Sequence, residues 1–215
     1  MSPMLDITEP ESPKLWTVEE FGRLYEIGLL AERCELIEGV IRVMGYNPPH
    51  AATVMSFMRW LIREFGADFV ACQVPISLPL DTRVGSRPQP DAMALNVPMD
   101  HFALEFITVD ALEILIEVAD TTLQDDTGVK ALLYSRAGVR DYWVADINTR
   151  QVRIHRDPTS EGYGIVTIYA EHQEVSPLAH PDSKVHVGSL FPTLKTEEKK
   201  KKEEETGNRE QDNAI

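Results

Sequence analysis

The chain has 215 residues, an apolar fraction of 43% and a formal net charge of −14. That composition suits one domain with a well-buried core plus tails and excludes wholesale disorder. The acidic balance argues against a generic nucleic-acid binder, which normally carries a basic footprint for phosphate neutralisation.

Residues 1–14 hold three prolines and little apolar content, and are expected to form a flexible leader. Thr17 and Glu20 have capping-box spacing. They predict a helix with Phe21, Leu24 and Tyr25 on one face and Leu29 at its end. Residues 34–44 predict two short strands around a Glu38-Gly39 turn. Asn47-Pro48-Pro49 breaks that pattern. His50 then begins a second helix over 50–65, with Gly66 as its stop signal and Val54, Phe57, Met58, Leu61, Ile62 and Phe65 as its apolar face. Residues 68–80 suggest a strand and then an edge segment punctuated by Pro75 and Pro79. A polar loop over 81–88 and a short apolar strand over 91–95 follow, and 96–108 reads as a loop or a weak helix.

Residues 112–119 form a dense apolar run broken only by Glu113 and Glu117, as expected of a central strand covered on both faces. A third helix is predicted over 125–137, ended by Gly138. Residues 141–146 read as a strand that turns at Asn148-Thr149 into 151–156 as a hairpin. Further strands are predicted over 163–170 and at the start of 185–191. Residues 195–215 hold six Lys or Arg against seven Asp or Glu, so the acidic excess lies in the body of the chain. This tail is expected to be disordered or a solvated helix. The element order implies an α/β or mixed α+β domain over 15–194, a mixed sheet flanked by helices. Cys34 and Cys72 have no Cys or His neighbours of metal-binding spacing, and the amino terminus has no basic-then-apolar export signal. With no apolar run near the ~18 residues of a membrane span, reduced thiols in a cytoplasmic protein are expected.

The chemistry concentrates between Pro90 and Lys130. Asp91 follows Pro90 at the mouth of a strand, and Glu117 sits deep in an otherwise apolar one. An ionised carboxylate buried alone costs several kcal/mol, so it must be paired, protonated or metal-bound. The sixteen-residue connection is long enough to lay the two strands side by side. Their carboxylates, with the Val118 carbonyl, could then converge on a hard cation such as Mg2+, which takes one or two carboxylates and keeps several waters. Such an ion polarises phosphate and lowers the pKa of bound water. Lys130 opens the third helix, where an ammonium can steady developing negative charge, and shares a face with Tyr134. Glu35 is a further acidic candidate. His50 would meet a phosphate at a helix start. Competing readings exist for each: Lys130 is also i, i+4 from Asp126, as in an ordinary surface pair. Tyr142 and Trp143 read as core aromatics, and Glu38 as a turn residue.

In order and spacing, Glu35-Leu36-Ile37-Glu38-Gly39, Pro48-Pro49-His50, Gln89-Pro90-Asp91, Ile116-Glu117-Val118, Gly128-Val129-Lys130 and the two runs 134–139 and 141–146 resemble the Uma-two family of endonucleases. That family belongs to the PD-(D/E)XK, restriction-endonuclease-like superfamily. The resemblance implies a restriction-endonuclease-like core, a mixed sheet flanked by helices with additional hairpins. It makes Asp91 the first acid and Glu117 the second. Ala119 stands where the superfamily's lysine usually follows, and the family pattern moves that lysine to Lys130. Glu35 and His50 match the family's early acid and its histidine. The expected activity is Mg2+- or Mn2+-dependent hydrolysis of phosphodiesters, with DNA as partner and a homodimer as the usual way to cut both strands. Asp120, where the family often has serine, adds charge that would hold a second ion or repel DNA. The acidic body favours two alternatives: a non-catalytic interaction module of the same fold, and a metal-dependent hydrolase of small phosphate esters.

Overall fold

The computed structural model describes residues 13–30, 33–45, 47–79 and 84–193. Nearly all of the expected leader and all of the charged tail lie outside them. Helix α1 (Val18–Glu26) begins where the sequence places it: Thr17 Oγ1 accepts from the Glu20 amide, and the Glu20 carboxylate accepts from the Thr17 amide. It ends a turn early. Tyr25 and Leu29, expected on the buried face, are exposed, because α1 covers only the narrow cluster of Phe21, Cys34 and Leu36. Strands β1 (Cys34–Ile37) and β2 (Val40–Val43) form the expected hairpin. Glu38 and Gly39 take φ of 47° and 78°, the pair of positive values that matches a two-residue turn to strand twist.

Helix α2 (Pro48–Phe65) starts two residues earlier than expected. Asn47 Oδ1 caps the His50 amide, and Pro48 and Pro49 occupy first-turn positions that need no N–H donor. Its inner face includes Trp60 in addition to Val54, Phe57, Met58 and Leu61, while Ile62 is largely exposed.

Short strands β3 (Val70–Ala71) and β4 (Ile76–Ser77) precede β5 (Ala92–Leu95). The stretch left open between loop and helix resolves into a 3-10 turn at Met99–Phe102 and β6 (Ile107–Thr108), which pairs in parallel with β4. Next come β7 (Leu112–Ala119), α3 (Leu123–Thr127) and α4 (Val129–Ala137). The single third helix expected from sequence is thus two helices, broken at Gly128. A Cβ at Gly128 would stand 2.6 Å from the Gln124 carbonyl oxygen. The chain closes with β8 (Asp141–Asp146), β9 (Gln151–Thr159), β10 (Gly162–Tyr169), β11 (Glu174–Val175), β12 (Val185–His186) and a 3-10 turn at Val187–Leu190.

Six strands make one mixed sheet in the order β10-β9-β8-β7-β5-β3. Only β7 and β8 are parallel, and α3 and α4 form the crossover that parallel neighbours require. On one face α2 packs Val54, Phe57 and Trp60 against Ala94, Ile114, Ile116 and Trp143, with Trp60 and Trp143 stacked at 5.5 Å between centroids. On the other, α4 packs Ala131 and Tyr134 against Met93, Leu115, Tyr142 and Val144. Strand side chains alternate between faces, so Ile116 and Val118 point to α2 while Leu115, Glu117 and Ala119 point to α4. This parity alone aims Glu117 at the crossover. Cys34 and Cys72 are free thiols. Among the described residues, no helix is long and apolar enough to cross a membrane.

Two predictions come from this core. Gly128→Ala should cost about 1–3 kcal/mol in urea denaturation, because the carbonyl it meets is backbone. His155 lies 4% exposed between Tyr142 and Tyr163, and burial, helped by Arg153, lowers its pKa to about 4. A folded-state pKa below the unfolded ~6.5 stabilises the unfolded chain once it can take up the proton. Stability should therefore fall by about 2–3 kcal/mol between pH 6.5 and 4 on account of this residue, and His155→Phe should flatten that part of the profile.

Candidate active site

Residues from five parts of the chain line one cavity of about 480 Å3: Glu35, His50, Asp91, Glu117 with Val118, and Lys130. All the candidates named from sequence meet there. The placement follows from local structure. β1 turns Cys34 and Leu36 under α1, so Glu35 between them faces the opposite way, toward the crossover. The β5–β7 ladder stops at Ala92 opposite Ile116. Beyond it the Val118 amide donates to Asp91 Oδ2 at 2.9 Å. That same oxygen lies 3.1 Å from His50 Nε2, at the start of α2. Gln73 Nε2 donates to Asp91 Oδ1 at 3.2 Å. Gln73 has φ of 54°, a left-handed conformation costly for its side chain type, and accepts at its carbonyl from Gln89 Nε2.

Lys130 is the hub. Its Nζ lies 2.9 Å from Glu35 Oε1, 3.1 Å from Glu117 Oε1 and 3.6 Å from Asp126 Oδ1. Tyr134, one turn further along α4, donates its hydroxyl to Glu117 Oε1 at 2.8 Å. Glu117 Oε2 accepts no hydrogen bond among the described residues. Glu35, Asp91, Glu117, Asp126 and Lys130 are each at most 5% exposed. The i, i+4 pairing of Lys130 with Asp126 exists, but it is buried and is the longest of the three ion pairs, which corrects its reading as a surface pair.

Electrostatics follow from three buried carboxylates around one ammonium, with a fourth, Asp91, beside them. Burial raises Glu117 well above the ordinary carboxylate value, against the lowering effect of Lys130. Asp126 is raised as well, again mainly by burial. Burial alone would lower Lys130, but Glu117, Glu35 and Asp126 outweigh it and hold the lysine above its usual value. Burial also pulls His50 down, and its hydrogen bond and charge contact with Asp91 more than reverse this. The carboxylate excess and the unpaired Glu117 oxygen suit a hard divalent cation. Among the described residues, no three His, Cys, Asp or Glu side chains form a metal cage by themselves. The donor set therefore fits an ion that takes two carboxylates and completes its shell with backbone and water oxygens.

Three participants were not picked out from sequence. Asp126 hid as a helix-surface acid, and its signal was the spacing to Lys130. Gln73 carries no sequence signal, since its role depends on a turn conformation. Asn47 was noted only as a breaker; it caps α2 and its Nδ2 donates to Asp120 Oδ2 at 2.5 Å. Asp120 and Asp125 line the same cavity, and Asp125 pairs with Arg42 at 3.1 Å.

The fold and this cluster together place the chain among restriction-endonuclease-like domains. Residues 18–188 match the family described as "Putative restriction endonuclease", and the chain belongs to that family. A solved structure described as a "putative nuclease belonging to DUF820", from Anabaena variabilis, superposes with a TM-score of 0.63 at 16% identity. The match covers 81% of this chain and 97% of that one. No curated protein matches the chain.

The hub predicts an asymmetry. Lys130→Met strands three buried acids and should lower stability by about 3–5 kcal/mol at neutral pH without divalent ions. Because the folded-state pKa of Lys130 is raised, its contribution is complete below the ordinary lysine value of ~10.4 and is lost only as the pH rises above it. Glu117→Gln removes a carboxylate whose ionisation burial opposes, while Lys130 keeps two partners. It should cost less than about 1 kcal/mol or be stabilising. Urea midpoints at unchanged slope measure both.

Proposed function

We propose that the protein is a divalent-metal-dependent endonuclease that hydrolyses phosphodiester bonds in DNA. The observation that carries this reading is the meeting of Asp91 and Glu117, from neighbouring strands, with Lys130 from the crossover in one cavity. The family description supports the nuclease class. In this reading a single domain over residues 15–194 carries the activity in the cytoplasm. Asp91 and Glu117, with the Val118 carbonyl, would hold Mg2+ or Mn2+. Bound there, the ion would polarise the phosphate and lower the pKa of an attacking water.

The protein's own groups have separate tasks. Glu35 and Asp126 keep the Lys130 ammonium charged and fixed, so that it can face the negative charge that develops on the phosphate. Tyr134 holds Glu117 in one rotamer. His50 lies beside Asp91 at the cavity wall, at the positive end of α2, where a phosphate oxygen is favoured. A homodimer would supply two such sites for the two strands of a duplex.

A second reading has one specific observation in its favour. Asp120, Asp125 and Asp126 line the cavity beside the candidate ligands, an acidic wall that suits small phosphate esters better than a polyanion. Incubating the protein with plasmid DNA, RNA, nucleotides and phosphomonoesters under Mg2+ or Mn2+ separates the two. The nuclease reading expects DNA cleavage, lost at least about a hundredfold in Asp91→Asn and Glu117→Gln, which keep the shape of the site. Hydrolysis of small esters alone would assign the second reading. No hydrolysis of any substrate would leave a binding module, and full activity in Asp91→Asn would overturn the assignment of the reaction to this cluster.

A further inference from the structure

A second cavity, of about 390 Å3, lies behind the wall of the candidate active site. Phe21 and Tyr25 of α1, Cys34 of β1, Pro75 and Phe106 give it an apolar lining. Its volume falls in the range of small-molecule pockets, and its mouth is marked by Tyr25 and Phe106, each about half exposed. One cation, Arg87, lines it. The Arg87 backbone is fixed by two hydrogen bonds with Leu36 of β1, and its guanidinium lies 3.8 Å from the centroid of the Phe106 ring. Its NH1 is buried with no hydrogen-bond partner. Arg87 forms no ion pair with any described residue, and burial, opposed by no carboxylate, lowers its pKa. Glu26 lines the same cavity without reaching ion-pair distance.

Among the described residues this half-buried guanidinium has the Phe106 ring but no anion beside it, which is unexpected in a chain of net charge −14, where acids to pair it are abundant. Burying a charge without an anion is costly, and a carboxylate entering the cavity would offset that cost. We propose that this cavity is a binding site for a monocarboxylate carried on an apolar body. The single guanidinium matches one carboxylate in a two-bond fork, and the rings take the hydrocarbon. A phosphate dianion would ask for more donors than the one cation supplies. The cavity also touches the candidate catalytic site through covalent neighbours. Cys34 lines it while Glu35 faces Lys130, and Gln89 lines it while its backbone N–H donates to Glu35 Oε2 at 3.4 Å. Occupancy would thus bear directly on the strand and loop that hold Glu35. The proposal stands on Arg87 and its pocket, independently of any nuclease activity.

Calorimetry and thermal unfolding of the full chain with octanoate, octanol and octyl phosphate test it. The expected result is saturable octanoate binding, at least tenfold tighter than octanol and tighter than octyl phosphate, with a rise in melting temperature. Arg87→Met should weaken octanoate at least tenfold and leave octanol unchanged. Its melting temperature should fall only slightly, since the guanidinium gives up the Phe106 ring contact but no acceptor among the described residues. Absence of saturable octanoate binding would overturn the site. Equal binding of octanol and octanoate, or unchanged octanoate binding in Arg87→Met, would overturn the role of the guanidinium. Tighter octyl phosphate would overturn the monocarboxylate assignment. The three-ligand series on the parent chain decides the matter even if the variant does not fold.

Discussion

One ammonium group holds this site together. Lys130 Nζ joins β1 through Glu35, β7 through Glu117 and α3 through Asp126, in a region from which water is nearly excluded. Burying a lysine or a carboxylate alone costs several kcal/mol, and burying them together is tolerable only where geometry and further hydrogen bonds compensate. The compensation is visible: Tyr134 donates to Glu117, Thr122 to Asp126, and the Gln89 backbone N–H to Glu35. The hairpin, the central strand and the crossover must therefore meet at one point.

The cluster is nevertheless unbalanced. Asp91 stands beside it with His50 as its charge partner and Gln73 as a hydrogen-bond donor, and for Glu117 burial outweighs the lowering effect of Lys130. A protein selected for stability alone would replace such a set by apolar residues. Retaining it is what a site for a cation and an anionic substrate requires, because the folded chain is left with surplus negative charge pointing at one cavity. The acidic body of the chain belongs to the same problem. An overall charge of −14 weakens long-range attraction of a polyanion, so any productive encounter must rely on local fields such as the start of α2, Arg42 and Lys130.

Some features were legible residue by residue. Thr17 with Glu20, the Glu38-Gly39 turn and the Gly138 stop are local backbone chemistry, and the structure reproduces each. The dense run at 112–119 announced a central strand, since only a strand covered on both faces can bury so many consecutive apolar groups. Other features were not. Tyr25 and Leu29 have helical spacing with Phe21, but spacing does not say whether anything lies opposite. Gly128 reads as a tolerable helix residue until the neighbouring carbonyl is seen to fill the place of its Cβ.

The same division runs through the site. Which acids sit in apolar runs is a property of the chain, so Asp91 and Glu117 stood out with no coordinates, and Lys130 by its place at a helix start and in the family pattern. How those charges are shared is not a local property. Asp126 looked like a solvated partner of Lys130 because an i, i+4 pair has the same spacing on a surface as in a core. Only the packing of α3 against β7 and β8 removes the water that would have screened it. Gln73 joins Asp91 through a left-handed turn that no periodicity announces, and Glu35 reaches Lys130 only because the hairpin folds over the crossover. Pattern reports which side chains are displaced from water. Tertiary structure alone decides which of them face one another, because that depends on contacts between residues far apart in the chain.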